Sequence, residues 1–141
     1  MLEIALEQAA AVENVALPPG VTMERLPARP AVENAWLEWF PSMLAVPACA
    51  ASIGLLCARR ADPAVFETVE WHTEPELFLM VSGEGTMLLA DGQAWKLATL
   101  TQGTVLRVGS GVAHYFGPAL TQEALCAVVT LTGAQTMTRA V

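Results

Sequence analysis

The chain has two histidines, His72 and His114, and each sits inside a patterned stretch. The first reads Glu70-Trp71-His72-Thr73-Glu74-Pro75-Glu76, followed by six residues and Gly83. The second runs Gly103, five residues, Gly109-Ser110-Gly111, two residues, His114. Two imidazoles with a carboxylate suit a divalent first-row metal and leave coordination positions open; Zn, Mn, Fe, Ni and Co all fit that donor set. Such an ion acts as a Lewis acid on a carbonyl or hydroxyl, and a non-ligating carboxylate beside it serves as general acid or base. Glu70 and Glu76 are the candidates for that role. Glu74 is assigned to a solvated turn.

These donors need strands to bring them together. On a strand over residues 68–72, alternation projects Glu70 and His72 from one face. The turn Thr73-Glu74-Pro75 leads into a second strand opened by Glu76, with Phe78 and Met80 following. His114 falls on another short strand, with Val112 and Phe116 on its side. Trp71 and Tyr115 alternate away from the site. Phe78, Met80, Phe116 and Leu106 are candidates for the apolar wall of a cavity or are simply core, and Arg60 is a candidate for bidentate binding of a substrate carboxylate. Plainer roles stand beside these. The histidines can be hydrogen-bonded core residues, the glutamates solvated edge acids, and Arg60 and Arg107 strand-end surface charges.

From Cys49 onward, short runs rich in Val, Leu, Thr, Phe and Trp are separated by closely spaced turn signals. Asp91-Gly92, between Met87–Ala90 and Ala94–Leu100, marks a hairpin. About seven or eight strands at this spacing predict a mainly β fold, a sandwich or barrel. Residues 1–48 read as a helical and loop extension packing on a barrel formed by 49–141. The extension is expected to hold a helix over 1–13, with Leu2, Leu6, Ala9 and Ala10 on one side. A strand is expected at Val21–Leu26, and a second helix over Ala31–Phe40 presenting Val32, Trp36, Trp39 and Phe40.

Composition bounds the function. At 141 residues, 54 % of them apolar and 15 % charged, the chain builds one domain with a real core. So little surface charge predicts a homodimer that hides apolar surface. Net charge is -7, Lys96 is the single lysine, and the arginines are scattered apart from Arg59-Arg60, which argues against nucleic acid. The uncharged stretch Trp39–Ala58 has the length of a membrane span, but Pro41 and Pro47 interrupt it, so a buried strand is the preferred reading. Glu3 and Glu7 with no basic segment argue against a secretory signal. Cys49, Cys57 and Cys126 form no Cys-x-x-Cys and read as small buried hydrophobes in a reducing cytoplasm.

The two stretches resemble the two motifs of the cupin superfamily. The first motif is His-x-His, three or four residues, Glu, six residues, Gly. Here Glu70 stands at the first histidine, while His72, Glu76 and Gly83 match. The second is Gly, five residues, Pro-x-Gly, two residues, His, three residues, Asn. Gly103, Gly111 and His114 match it, Gly109 replaces the proline and Pro118 the asparagine. The resemblance implies a small antiparallel β-barrel or jelly roll with a metal held by His72, His114, Glu76 and Glu70. The Glu-x-His form, the Val-Ala-His-Tyr ending and the segment Gly54–Arg60 are similar to the ureidoglycolate lyase branch. That implies a metal-dependent lyase or isomerase acting on a hydroxy, ureido or sugar acid. The alternatives are a non-catalytic cupin that binds a small ligand and a purely structural dimer.

Overall fold

The computed structural model describes residues 3–141 except 22, 24 and 26, together with every side chain in that range but those of residues 6, 12, 42 and 47. Eleven strands lie among the described residues. They are β1 (Val32–Glu33), β2 (Leu37–Val46), β3 (Ala51–Arg59), β4 (Thr68–His72), β5 (Glu76–Ser82), β6 (Gly85–Asp91), β7 (Ala94–Leu100), β8 (Val105–Val108), β9 (His114–Phe116), β10 (Glu123–Leu131) and β11 (Thr136–Ala140). One sheet runs β1-β2-β3-β10-β5-β8 and the other β11-β4-β9-β6-β7, with antiparallel ladders throughout. The sheets face one another as a jelly-roll sandwich. They do not close into the expected barrel.

The expected helix over Ala31–Phe40 is a hairpin. Asn34 accepts the backbone N–H groups of Trp36 and Leu37, both at 2.9 Å, which closes a turn where a helix would have continued. Beyond it, Leu37 and Trp39 alternate with Glu38, and β2 pairs with β3. Bulky aromatic residues fit such a pleated surface well. The six-stranded sheet therefore includes β1 and β2, which precede residue 49. At the N-terminus, the expected helix is reduced to 3₁₀ turns at Leu6–Gln8 and Val12–Asn14. Leu2 lies outside the described residues, as do Thr22, Glu24 and Leu26 of the expected strand Val21–Leu26. The uncharged stretch from Trp39 folds back as β2 and β3, and no described helix is long and apolar enough to cross a membrane.

The core between the sheets is built from Leu56, Phe78, Met80, Met87, Phe116, Cys126 and Val128. Burial pushes the Cys126 thiol up to about 12, so it stays an inert hydrophobe. Cys57 is half-buried and Cys49 is exposed, against the expectation that all three are buried. Cys49 ends a short 3₁₀ turn between β2 and β3, where the chain is on the surface.

Two glycines show what local geometry demands. The β6–β7 hairpin pairs Asp91 with Ala94, so its two central residues are Gly92 and Gln93, and Gly92 takes φ +62°. Gly83, which closes the first motif, takes φ +71°, and a Cβ there would lie 2.3 Å from the Glu123 carbonyl oxygen. Gly83→Ala should cost about 3 kcal/mol or more, combining left-handed strain with a backbone clash. Gly92→Ala meets open space and should cost about 1 kcal/mol. Denaturant unfolding of both variants checks this, and equal losses would contradict it.

Candidate metal centre

The site sits between the sheets, at the crossing from β4 to β5. Glu70 and His72 extend from β4 in the five-stranded sheet, and Glu70 pairs directly with His114 of β9. The three-residue turn Thr73–Pro75 carries the chain to the other sheet, where Glu76 opens β5. Four residues of sequence thus place acids and a histidine on opposing walls. Glu76 faces both rings: its Oε2 lies 2.8 Å from His72 Nε2 and 3.2 Å from His114 Nε2. Glu70 Oε1 lies 3.7 Å from His72 Nε2. The donor atoms of Glu70, His72 and His114 all fall within 4.8 Å of one another. The His114 side chain is 1 % exposed, Glu76 7 % and His72 9 %, whereas Glu70 is 33 % exposed.

The hydrogen bonds behind the rings fix what the front nitrogens present. His114 Nδ1 donates to the Val112 carbonyl at 2.8 Å. A carbonyl only accepts, so Nδ1 carries a proton and Nε2 faces Glu76. The 3.2 Å contact with Glu76 Oε2 needs either a second proton on the ring or a cation between the two atoms. His72 Nδ1 shares a 2.9 Å hydrogen bond with Thr136 Oγ1 of β11. Its buried Nε2 has no hydrogen-bond partner, because Glu76 is close but badly aligned. Ligands bonded at about 2.1 Å around one cation sit about 3.0–3.4 Å apart; the 3.2 Å His114–Glu76 separation lies in that range, and the 2.8 Å His72–Glu76 and 3.7 Å His72–Glu70 separations flank it. The residues therefore fit a divalent ion, with ring nitrogens held from behind as metal-binding histidines are.

In the metal-free protein the same cluster must share protons. Glu70 and then Glu76 hold the His72 ring protonated up to about 9, against the opposing effect of burial. Burial is the largest influence on Glu76 and pushes its carboxyl up, but His114 and His72 together outweigh it and leave it below the ordinary range.

A cavity of about 80 Å³ opens beside the cluster. Glu70, Glu76, Phe78 and Phe116 line it, together with Leu37, Trp39, Leu56 and Val128. Leu37 and Trp39 were hidden by the helical reading; their alternation about Glu38 was the available signal. Phe78 meets His114 edge-on at 5.7 Å and stacks with Phe116 at 6.3 Å. Tyr115 packs on Phe66, away from His114, and also borders the cavity. Met80 is 1 % exposed in the core and does not line the cavity. Arg60 lies at the end of β3, bridged to Ala119 and donating to the Leu120 carbonyl, and lines a different cleft. Thr136 was not foreseen, because only the β4–β11 register brings it beside His72. Val112 contributes its carbonyl from a turn, not a strand side chain.

No protein-family model and no curated protein matches the chain. Solved structures do. Hydroxypropylphosphonic acid epoxidase from S. wedmorenis superposes with a TM-score of 0.59 at 22 % identity, covering 82 % of this chain and 61 % of the epoxidase. The iron(II) form of HppE gives 0.57 at 21 %, with 81 % and 62 % covered. A vicilin from Solanum melongena, described as holding different anionic ligands in structurally similar pockets, gives 0.58 at 13 %, with 77 % and 31 % covered. The chain spans about three-fifths of the length of the first two and a third of the vicilin. At these identities the likeness speaks to the architecture alone, and that architecture is the cupin fold.

Proposed function

We propose that the chain is a metal-dependent cupin enzyme acting on a small molecule bound in the cavity beside His72, His114 and Glu76. One observation carries this: a buried carboxylate and two buried ring nitrogens converge, with His72 Nε2 lacking a hydrogen-bond partner and His114 Nε2 facing Glu76. His72, His114 and Glu76 would hold the ion, with Glu70 as the fourth donor within reach. An ion held there would supply Lewis-acid polarisation of a carbonyl or hydroxyl. Glu70 is the most exposed of the four and lines the cavity, so it is the group placed to exchange a proton with a bound molecule. Burial, and next Glu70, raise the Tyr115 phenol, which keeps it a hydrogen-bond donor at the cavity edge.

The lyase-like resemblance suggests a hydroxy, ureido or sugar acid. Among the described residues lining the cavity there is no lysine or arginine, and most of the wall is apolar. The walls therefore favour a substrate whose polar group reaches the ion and whose remainder is small and uncharged. The same small apolar cavity also supports a second reading, a cupin that binds such a ligand without turning it over. An ion with an open coordination position speaks for the enzyme, and an ion enclosed by four protein donors speaks for the binder. The three free cysteines support a cytoplasmic location.

Elemental analysis tests the metal assignment. Purified protein should carry about one divalent ion per chain, His72→Ala and His114→Ala should each lose it, and Glu70→Gln should retain most of it. Stoichiometric metal surviving both histidine changes would sink the assignment.

A pH series gives a second check. The His72 proton is held to about 9 in the folded metal-free protein, above its ordinary 6.5. Its contribution to stability is full below pH 6.5 and disappears as pH rises through 9. Chelator-treated protein should therefore lose melting temperature between pH 6.5 and 9, and His72→Gln should flatten that limb. Metal affinity should rise over the same interval, because the ion competes with that proton. A wild-type melting temperature that stays level from pH 6.5 to 9 would contradict the cluster's electrostatics.

A further inference from the structure

The six-stranded sheet is apolar on both of its faces. Inward, β5 presents Phe78 and Met80 to the core; outward, it presents Leu77, Leu79 and Val81. β10 repeats the pattern, with Cys126 and Val128 inside and Leu125, Ala127 and Val129 outside. Strands that face water on one side normally alternate apolar with polar residues, and continuous apolar strands belong to sheets covered on both faces. Register aligns the outward side chains in rows. One row runs Leu44–Ile53–Val129–Leu77–Arg107, and the next Leu55–Ala127–Leu79–Val105. Arg107, at the β8 edge, is the only charge in either row. Leu44, Leu77, Leu79, Val81, Val105 and Leu131 are between 37 % and 62 % exposed in the single chain.

We infer that this face is the interface of a two-fold homodimer, in which the six-stranded sheets of two copies pack face to face. Each outward residue covers about 33 Å² of sheet, about 4.8 Å between strands by about 6.8 Å along them, so the two rows with Val81, Leu125 and Leu131 give a patch of roughly 400 Å². That is the size of the largest apolar patch on a typical monomer. Two copies together bury roughly 800 Å² from these residues alone, and a rim around them brings the contact to the roughly 1,000 Å² of a specific interface. A flat apolar sheet is complementary to itself, since sheets stack about 10 Å apart with their strands nearly aligned. The rows carry no pattern of charge that would select a different partner. The nearby Glu38 and Arg59 already pair with each other within the chain. The chain's low charge, 15 % of residues, fits a protein that keeps such a face covered.

Sedimentation equilibrium across micromolar concentrations tests this. The wild type should sediment as two 15.0 kDa chains, and Leu79→Glu should weaken association at least 100-fold while circular dichroism stays unchanged. Leu97→Glu, on the outer face of the other sheet and 52 % exposed, should leave the dimer intact. If Leu79→Glu fails to fold, Val105→Glu on the edge strand takes its place. A monomeric wild type, a dimer indifferent to both face variants, or one broken equally by Leu97→Glu would overturn the proposal.

Discussion

A carboxylate and two imidazoles are enclosed between two apolar sheets, and that enclosure constrains everything around them. A charge or lone pair removed from water needs a partner, and leaving one unmatched costs several kcal/mol. At this site each ring is already committed from behind, His114 to the Val112 carbonyl and His72 to Thr136. The front nitrogens and Glu76 can therefore be satisfied in two ways. Either they share protons, which makes His72 an imidazolium up to about 9, or they share a cation. The first is what the metal-free chain must do. The second fits the spacing of the donors, the buried Nε2 with no hydrogen bond and the apolar walls that would shield a reaction from water.

The fold supplies this arrangement with little sequence. A three-residue turn moves the chain from one sheet to the other between His72 and Glu76, so neighbours in sequence become opposite walls. β9 brings His114 level with Glu70 through one cross-strand pair. Gly83 ends β5 at a left-handed turn pressed against the Glu123 backbone, which explains why the motif closes on glycine. At Pro118, where the motif has asparagine, the residue is buried and its carbonyl accepts the Thr86 hydroxyl at 2.8 Å. That position helps hold the β6–β9 end of the sheet and has no side-chain donor to lend the site.

What could be read in advance was the part written locally. The strand at 68–72, the strand opened by Glu76, the hairpin around Gly92 and the pairing of two histidines with Glu70 and Glu76 all follow from alternation, turn residues and motif register. The misreadings came from residues whose role is decided by distant partners. Val32, Trp36, Trp39 and Phe40 have helical spacing, yet the Asn34 turn and the ladder to β3 make them a hairpin. Thr136 lies 64 residues from His72 and becomes its partner only through the β4–β11 register. Arg60 has chemistry suited to a carboxylate, but it lines a different cleft, with Asp62 and Leu97, from the cavity beside the histidines. The outward apolar rows were visible only as a shortage of charge, because a list of residues does not say which strands lie side by side.

The most direct test of the central claim is an anomalous-scattering map from crystals grown with one equivalent of a divalent metal. A single peak about 2.1 Å from both His72 Nε2 and His114 Nε2, with a carboxylate oxygen completing the set, is the result the account predicts. A map with no anomalous peak there, in which Glu76 hydrogen-bonds to protonated rings, would contradict it.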